Sequence, residues 1–366
     1  MFQVRAEPAF DFQSAEYCEL FARSKATAFQ HPLWLHQVYS RLAPPAGAKA
    51  AVIVVRAAND GQLVAVLPLI HHRQYGLRVV EFADFKVGDY ASPVCDPSIG
   101  KACAQSPTLF PTIREALKSF DVLRLRKLRA DPHCFRFLFG SAPVSPMSLC
   151  RHAVDLYEPV ADWRRHNIDK TTLKELDQKG RQLRRKGEVR LEPVTNLERI
   201  RDSFAVMRQF RDPRFRDREG DDLVQDQVTY DFYLDIALQG KGGLSRTYAL
   251  LVDERPVAVC FGLVHDRAFL MLLMGFDRDS YKNQSVGLLL IDEVVGNCIR
   301  RGDRVFDLTI GNETYKTKFG TVAEPVYEIW IPGNAMGSVA IAARGHLPRA
   351  KAMARSIPRL SIWRGA

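Results

Sequence analysis

No acidic residue follows Glu328, no apolar run approaches the roughly 18 residues needed to cross a bilayer, and no two cysteines stand at C-x-x-C spacing. Each absence removes a class of protein. A membrane-spanning helix is not expected. Met1 to Phe10 lacks the basic start and apolar stretch of a secretion signal, so a cytoplasmic location is the expectation. The seven cysteines (Cys18, Cys95, Cys103, Cys134, Cys150, Cys260 and Cys298) are odd in number and scattered, which argues against a disulfide framework or a zinc site and for small buried hydrophobes. There is no G-x-S-x-G elbow, no H-E-x-x-H and no G-K-S/T phosphate loop, and the nine histidines form no ligand-spaced set. Neither a metal nor metal catalysis is expected.

What is present is a chain of 366 residues, 46% hydrophobic, long enough for two ordinary cores. The formal charge is +10, and Arg344, Arg349, Lys351, Arg355, Arg359 and Arg364 place more than half of the excess after Glu328. A second basic stretch, Arg164 to Arg190, has ten Lys/Arg against four Asp/Glu. It reads either as a solvated helix face or as a contact for an anionic partner. The tail interleaves basic and apolar residues, as an interfacial helix does, although Pro348 and Pro358 interrupt it. An anionic polymer or the inner face of a membrane is its expected partner.

A pattern occurs twice. "AAVIVVRAANDGQLVAVLPLIHHRQYGLRVVEFAD" and "TYALLVDERPVAVCFGLVHDRAFLMLLMGFD" each read as three apolar strands joined by short polar turns, hence antiparallel meanders. Each is followed by a helix and a strand: "FPTIREALKSFDVLRLRKL" and "SVGLLLIDEVVGNCIRRGDRVFDLT". Phe120-Asp121 and Phe306-Asp307 invite alignment, giving two copies of one α/β unit roughly 190 residues apart. The second helix should open at Val286 or Gly287, be capped by Ser285 or Asn283, and stop at Gly302; Leu288, Ile291, Val295 and Cys298 mark its inner stripe.

Between the third strand of that copy and its helix lies the polar segment Asp279 to Ser285, where unpaired amides and the positive end of a helix dipole meet. A glycine at 287 lets backbone approach an anion.

Gln284-Ser285-Val286-Gly287-Leu288-Leu289 resembles the Q/R-x-x-G-x-G/A loop with which GNAT-fold acyltransferases hold the pyrophosphate of coenzyme A, with Leu289 in place of the last small residue. "FDLTIGNETYKTKFG" resembles the F-D-x-x-x-G-x-x-x-Y-K-x-x-F signature of the CelD-like (cellulose-biosynthesis-associated) acetyltransferases, and "FQHPLWLHQVY", "LVAVLPLI" and "GDYASPV" are similar to that family's N-terminal copy. The resemblance covers roughly Phe29 to Pro332. It implies an α/β tandem GNAT (acyl-CoA N-acyltransferase) fold of two mixed, mainly antiparallel sheets flanked by helices, an architecture shared with the Fem-like peptidyltransferases. The expected layout is an N-terminal copy over residues 1–160 on the acceptor side, a basic linker over 161–190, a C-terminal copy over 191–332 holding acetyl-CoA or another acyl-CoA, and a tail over 333–366.

The resemblance further implies that the strands Phe269 to Phe276 and Val305 to Thr309 splay apart to admit pantetheine. Amides near Met274, Gly275 and Phe276 would then face the thioester carbonyl. Tyr315 becomes the candidate donor to the departing thiolate, Asp307 and Glu313 candidates for the base or for orienting an acceptor amine, and Lys316 either a phosphate contact or a partner of Glu313. In the first copy Asp84, Asp89 and Tyr90 would bind acceptor hydroxyls or an amine. The expected reaction is N-acylation of an amino sugar, a polysaccharide precursor or another small amine. The alternatives are a Fem-like transferase using aminoacyl-tRNA, with the Arg164 to Arg190 stretch on its phosphates, and a non-catalytic module binding an anionic nucleotide or polysaccharide.

Overall fold

The computed structural model describes residues 2–98, 102, 106–129, 137, 139–215 and 222–344. Cys103, Cys134 and the part of the basic tail beyond residue 344 lie outside these. The strands are β1 (Phe2–Ala6), β2 (Lys49–Ala50), β3 (Ile53–Ala57), β4 (Leu63–Leu67), β5 (Leu69–Gln74), β6 (Leu77–Phe82), β7 (Val94–Cys95), β8 (Val122–Leu128), β9 (Val144–Asp155), β10 (Val189–Val194), β11 (Ser245–Val252), β12 (Arg255–His265), β13 (Ala268–Phe276), β14 (Val305–Ile310) and β15 (Val322–Pro332). They form a small sheet ordered β1-β3-β4-β7 and a large one ordered β10-β11-β12-β13-β14-β9-β15-β8-β6-β5-β2.

Turn chemistry sets the hairpins. Asp253-Glu254, Asp266-Arg267 and Tyr75-Gly76 all have positive φ at both positions, the backbone twist that a two-residue loop between antiparallel strands requires. The second copy therefore has the expected meander, β11-β12-β13. The first copy does not. Its middle strand divides at Pro68, which has no N–H to continue a ladder; β4 joins β3 and β7, while β5 joins β2 and β6.

The two halves exchange their last strands. β9, which ends the first half, pairs with β14 of the second, and β15, which ends the second, pairs with β8 of the first. β9 and β15 then pair with each other at the centre. Backbone ladders thus bind the copies into one sheet, and a common core follows. Trp34 of the first half meets Phe232 of the second edge to face at 4.9 Å, in an apolar cluster that runs from Phe12 to Val326.

The repeat is real in topology, but its sequence alignment slips. β6 runs parallel to β8 as β13 runs parallel to β14. Each of β8 and β14 carries one residue of positive φ at a bulge, Lys127 at 58° and Thr309 at 59°. Counting back two from each makes Leu125 the counterpart of Asp307. Asp121 instead precedes its strand, where it holds the Arg78 guanidinium at 2.7 Å. The shared Phe-Asp pair therefore does not occupy matching positions when the bulges are aligned.

The central helix spans Val286–Arg300 and stops before Gly302, whose φ is 78°. Val286, Leu290, Ile291, Val294, Val295 and Cys298 face the core, whereas Leu288 is half exposed and lies outside the expected stripe. The linker forms two helices, Val160–Asn167 and Lys170–Arg184, the second capped by Asp169. Leu176 and Leu183 are buried in the second copy's core. Arg164 bridges Asp177 and Asp292 at 2.9 and 3.0 Å, and Lys318 pairs with Glu175 at 3.0 Å. The basic stretch is thus a packed helix with several of its charges compensated. Among the cysteines, Cys260 and Cys298 are buried as expected, Cys95 and Cys150 are partly exposed, and Cys18 is exposed.

Candidate functional site

β13 and β14 pair over only three positions, Ala268↔Val305, Phe269↔Phe306 and Leu270↔Asp307. Both strands continue beyond that level without pairing. On β13, Phe261↔Leu273 is followed by Gly262↔Met271, so Leu272 is an extra residue. On β14, Asp307↔Ala153 is followed by Ile310↔Arg151, leaving Leu308 and Thr309 opposite one residue. Two bulges just past the last shared pair bend the strands apart and open a wedge in an otherwise continuous sheet. Thr309, a buried β-branched residue at positive φ, is strained to make it.

Which amides face the wedge follows from the ladder. The Asp277 N–H bonds Val257 at 2.9 Å, so alternation along an antiparallel strand turns Gly275 toward β12, and Met274 and Phe276 toward the opening. Gly275 is therefore not an amide of the wedge. Its lack of a side chain serves packing, since a Cβ there would lie 2.5 Å from the Met207 carbonyl. The Met274 carbonyl accepts from Arg211 at 2.8 Å, and Arg211 is held by Asp222 at 2.6 Å. Arg211 and Asp222 were missed in the sequence, where they belong to no motif and stand about eleven residues apart.

At the helix start, Ser285 has φ 50° and ψ 43° and makes no side-chain cap. Asn283 does not cap either; its carbonyl accepts from Lys179 at 2.6 Å. Leu288 and Leu289 donate back to the Ser285 carbonyl, which leaves the Val286 and Gly287 amides without a partner among the described residues. Lys186 reaches the Ser280 carbonyl at 3.2 Å, so two ammonium groups flank the loop, beside half-exposed Gln284. Gly287 lies against Phe276, whose ring a Cβ would meet at 2.9 Å. Leu289 is buried toward the linker helix, with the Cβ position of Gly180 at 3.9 Å. Its side chain points away from the loop, which is why a large residue fits there.

The downstream acids do not behave as expected. Asp307 is 1% exposed. Its Oδ1 accepts from the Tyr90 hydroxyl and the Thr309 amide, each at 2.8 Å, and its Oδ2 from Arg151 at 2.8 Å. Three donors from three segments thus converge on this one buried carboxylate. Tyr90, 2% exposed, is likewise a buried tether between the copies. Lys316 is buried and turns its ammonium inward to the Ile310 carbonyl at 2.9 Å and to Glu313 at 3.1 Å, which selects the second of its two expected roles. Glu313 is half exposed and ties its own loop. Tyr315 is partly buried against the second copy's core, as are Phe276, Tyr281 and Leu288.

Asp84 and Asp89 enter from the first copy. Asp84 pairs with Lys127 at 2.9 Å and caps the Lys86 amide. Asp89 has no ion pair among the described residues. Burial pushes its carboxyl above the usual range, opposed by Lys127, the Thr309 hydroxyl and Lys316 and reinforced by Asp307. The buried Tyr233 hydroxyl, bonded to the Val87 carbonyl at 3.2 Å, feels the charges of Asp89, Arg211, Asp84 and Asp222. A polar cluster from both copies therefore surrounds the mouth of the wedge. No group of three His, Cys, Asp or Glu able to hold a metal occurs among the described residues.

The acetyltransferase (GNAT) domain family matches residues 170–317. The chain is similar to the C-terminal domain (DUF2156) of a putative lysylphosphatidylglycerol synthetase from Agrobacterium fabrum, with 14% identity, 93% of this chain and 97% of that one covered, and a TM-score of 0.56. It is also similar to L-PGS from Bacillus licheniformis (12% identity, 94% and 99% covered, TM-score 0.54) and to FemX (10%, 80% and 90%, 0.53). The second copy carries the GNAT fold by the family match, and the first repeats its parallel strand pairing. At these identities the similarity speaks to fold alone. No curated protein matches the chain. The GNAT match ends within the second copy, so the GNAT character of the first rests on its strand order.

Proposed function

We propose that the protein is an acyl-CoA-dependent N-acyltransferase, with acetyl-CoA as donor, that binds the donor in the second copy and receives its amine acceptor between the copies. One observation carries the reading: the bulges at Leu272 and Thr309 open the sheet at the same level, next to a helix start whose Val286 and Gly287 amides have no partner among the described residues. An uncapped helix N-terminus flanked by Lys179 and Lys186 suits a pyrophosphate, and a wedge with inward amides suits a pantetheine amide and a thioester.

The donor supplies an activated acyl group; the chain supplies position and proton transfer. The Met274 and Phe276 amides stabilise negative charge on the carbonyl oxygen, a contribution of about 3 kcal/mol per donor. Asp89 accepts the proton that the attacking amine loses, and its raised pKa makes it the better base. The nitrogen–carbon bond forms, the carbon–sulfur bond breaks, and Tyr315 gives its hydroxyl proton to the leaving sulfur. The acceptor is an amino sugar, a polysaccharide precursor or another small amine, and the CelD-like motif favours a role in exopolysaccharide or envelope synthesis. The aminoacyl-tRNA reading is weaker, because the linker helices meant to contact phosphates pair Arg164 with Asp177 and Asp292 and pack Leu176 and Leu183 against the second copy.

Calorimetric titration with coenzyme A and acetyl-CoA tests the reading. Gln284→Glu adds a charge at the anion seat with almost no change in volume and should weaken binding roughly tenfold, or ~1.4 kcal/mol. If wild-type protein binds neither ligand, or the variant binds both as well, the cofactor assignment is wrong.

A further inference from the structure

Residues 335–344 form a helix that follows β15. Its start is fixed. Gly333 donates to the Asp121 carbonyl at 2.8 Å, Asn334 bonds the Asp121 carboxylate at 2.7 Å and caps the Gly337 amide at 3.0 Å, and a Cβ at Gly337 would lie 1.8 Å from the Asp121 carbonyl oxygen. Beyond that clamp the helix is solvent-facing and apolar. Residues 335–343 read "AMGSVAIAA", with no charged side chain. Met336 and Val339, one turn apart on one face, are 56% and 70% exposed. Rigid presentation of such a face to water is unfavourable unless something covers it.

The surroundings point to what covers it. Arg114 donates to the Pro332 and Gly333 carbonyls at the helix base and carries no ion pair among the described residues. Lys118 is exposed beside it. Arg126 and Arg344 share one carboxylate, Glu328. Arg344 also lies 4.2 Å over the Trp330 ring, which holds the end of the helix in place. The acids at this end, Asp121 and Glu328, are both paired with arginines. The chain after Arg344 adds Arg349, Lys351, Arg355, Arg359 and Arg364 and no acid.

We propose that this helix docks on an anionic lipid surface, inserting Met336 and Val339 between headgroups while the arginines and lysines around its base engage lipid phosphates. An apolar helical face ringed by cations is what such a surface stabilises, through buried apolar area and electrostatic attraction together. The proposal does not depend on the acyl-transfer reading.

Full-length protein is sedimented with vesicles of phosphatidylcholine alone and of phosphatidylcholine mixed with phosphatidylglycerol. The expected result is roughly tenfold or stronger partitioning onto the anionic vesicles, weakening as salt is raised. The double variant Met336→Glu, Val339→Glu should lose most of that partitioning with an unchanged thermal midpoint, since both side chains are solvent-facing. A single Arg114→Gln change should give a smaller loss. The proposal is overturned if wild type stays in the supernatant, or if the double variant sediments like wild type, which would assign the attraction to tail charge alone. It is also overturned if sedimentation velocity shows wild type to be a dimer that the double variant dissociates, because the occupant would then be a second copy.

Discussion

Replacing Asp307 by asparagine separates a structural role from a catalytic one. Three donors converge on this carboxylate: Tyr90 and the Thr309 amide on Oδ1, and Arg151 on Oδ2. Asparagine keeps the shape but offers one acceptor atom, and its NH2 group must face a donor whichever way it turns. The favourable orientation keeps Tyr90 and Thr309 satisfied and sets the NH2 against Arg151. That guanidinium, its side chain 12% exposed, retains only Glu324, whose side chain is 53% exposed. Breaking a buried pair costs about 3–5 kcal/mol, and the surviving Glu324 contact reduces the expectation to about 2–4 kcal/mol. Tyr90→Phe removes one bond to a charged acceptor and should cost about 1.5–3 kcal/mol. The double variant should lose less than the sum by at least ~0.5 kcal/mol, because both changes act on one group. Urea unfolding followed by fluorescence and circular dichroism measures this. Trp34 and Trp163 are buried in different clusters, yet exchanged strands should give them a single transition. If Asp307→Asn stayed within 1 kcal/mol of wild type while turnover collapsed, the carboxylate would be the base that the sequence motif suggests, and the buried-tether argument would fail.

Asp89 provides a converse case. A carboxyl whose folded pKa is raised binds its proton more tightly in the folded state, so stability falls as pH rises from the ordinary carboxylate range through the folded value. Asp89→Asn should raise the thermal midpoint at pH 7 and abolish transfer while leaving coenzyme A binding intact; below the ordinary carboxylate range the difference should vanish. A lower midpoint at pH 7 would contradict the burial argument. His31 gives the opposite acid response. Burial and neighbouring His265 hold it down to about 4, and its Nδ1 caps the Leu33 amide at 3.1 Å. A base with a depressed folded pKa loses stability as pH falls from its unfolded value near 6.5 to about 4, by at most about 3 kcal/mol. His31→Asn, which retains a cap acceptor, should flatten the stability profile over that window, and an unchanged slope would refute the assignment.

Local chemistry was legible in the sequence. The two-residue turns at Asp253-Glu254 and Asp266-Arg267, the meander they join, the helix from Val286 to Arg300 and the polar loop before it were written in residue types whose conformational preferences act within a few positions. So was the duplication, since alternating patterns survive when individual residues drift. The motif FDLTIGNETYKTKFG singled out a structurally important segment, but it did not show that Asp307 is held by three buried donors. The reason is physical: whether a carboxylate is a base or a tether depends on which donors reach it, and the donors of Asp307 come from positions 90 and 151. Nothing local tells that β9 and β15 trade places, because backbone ladders are indifferent to side-chain identity. Local sequence limited what each segment could become; only the exchange of strands across the sheet decided that Asp307 meets an arginine while Asp89 has no ion pair among the described residues.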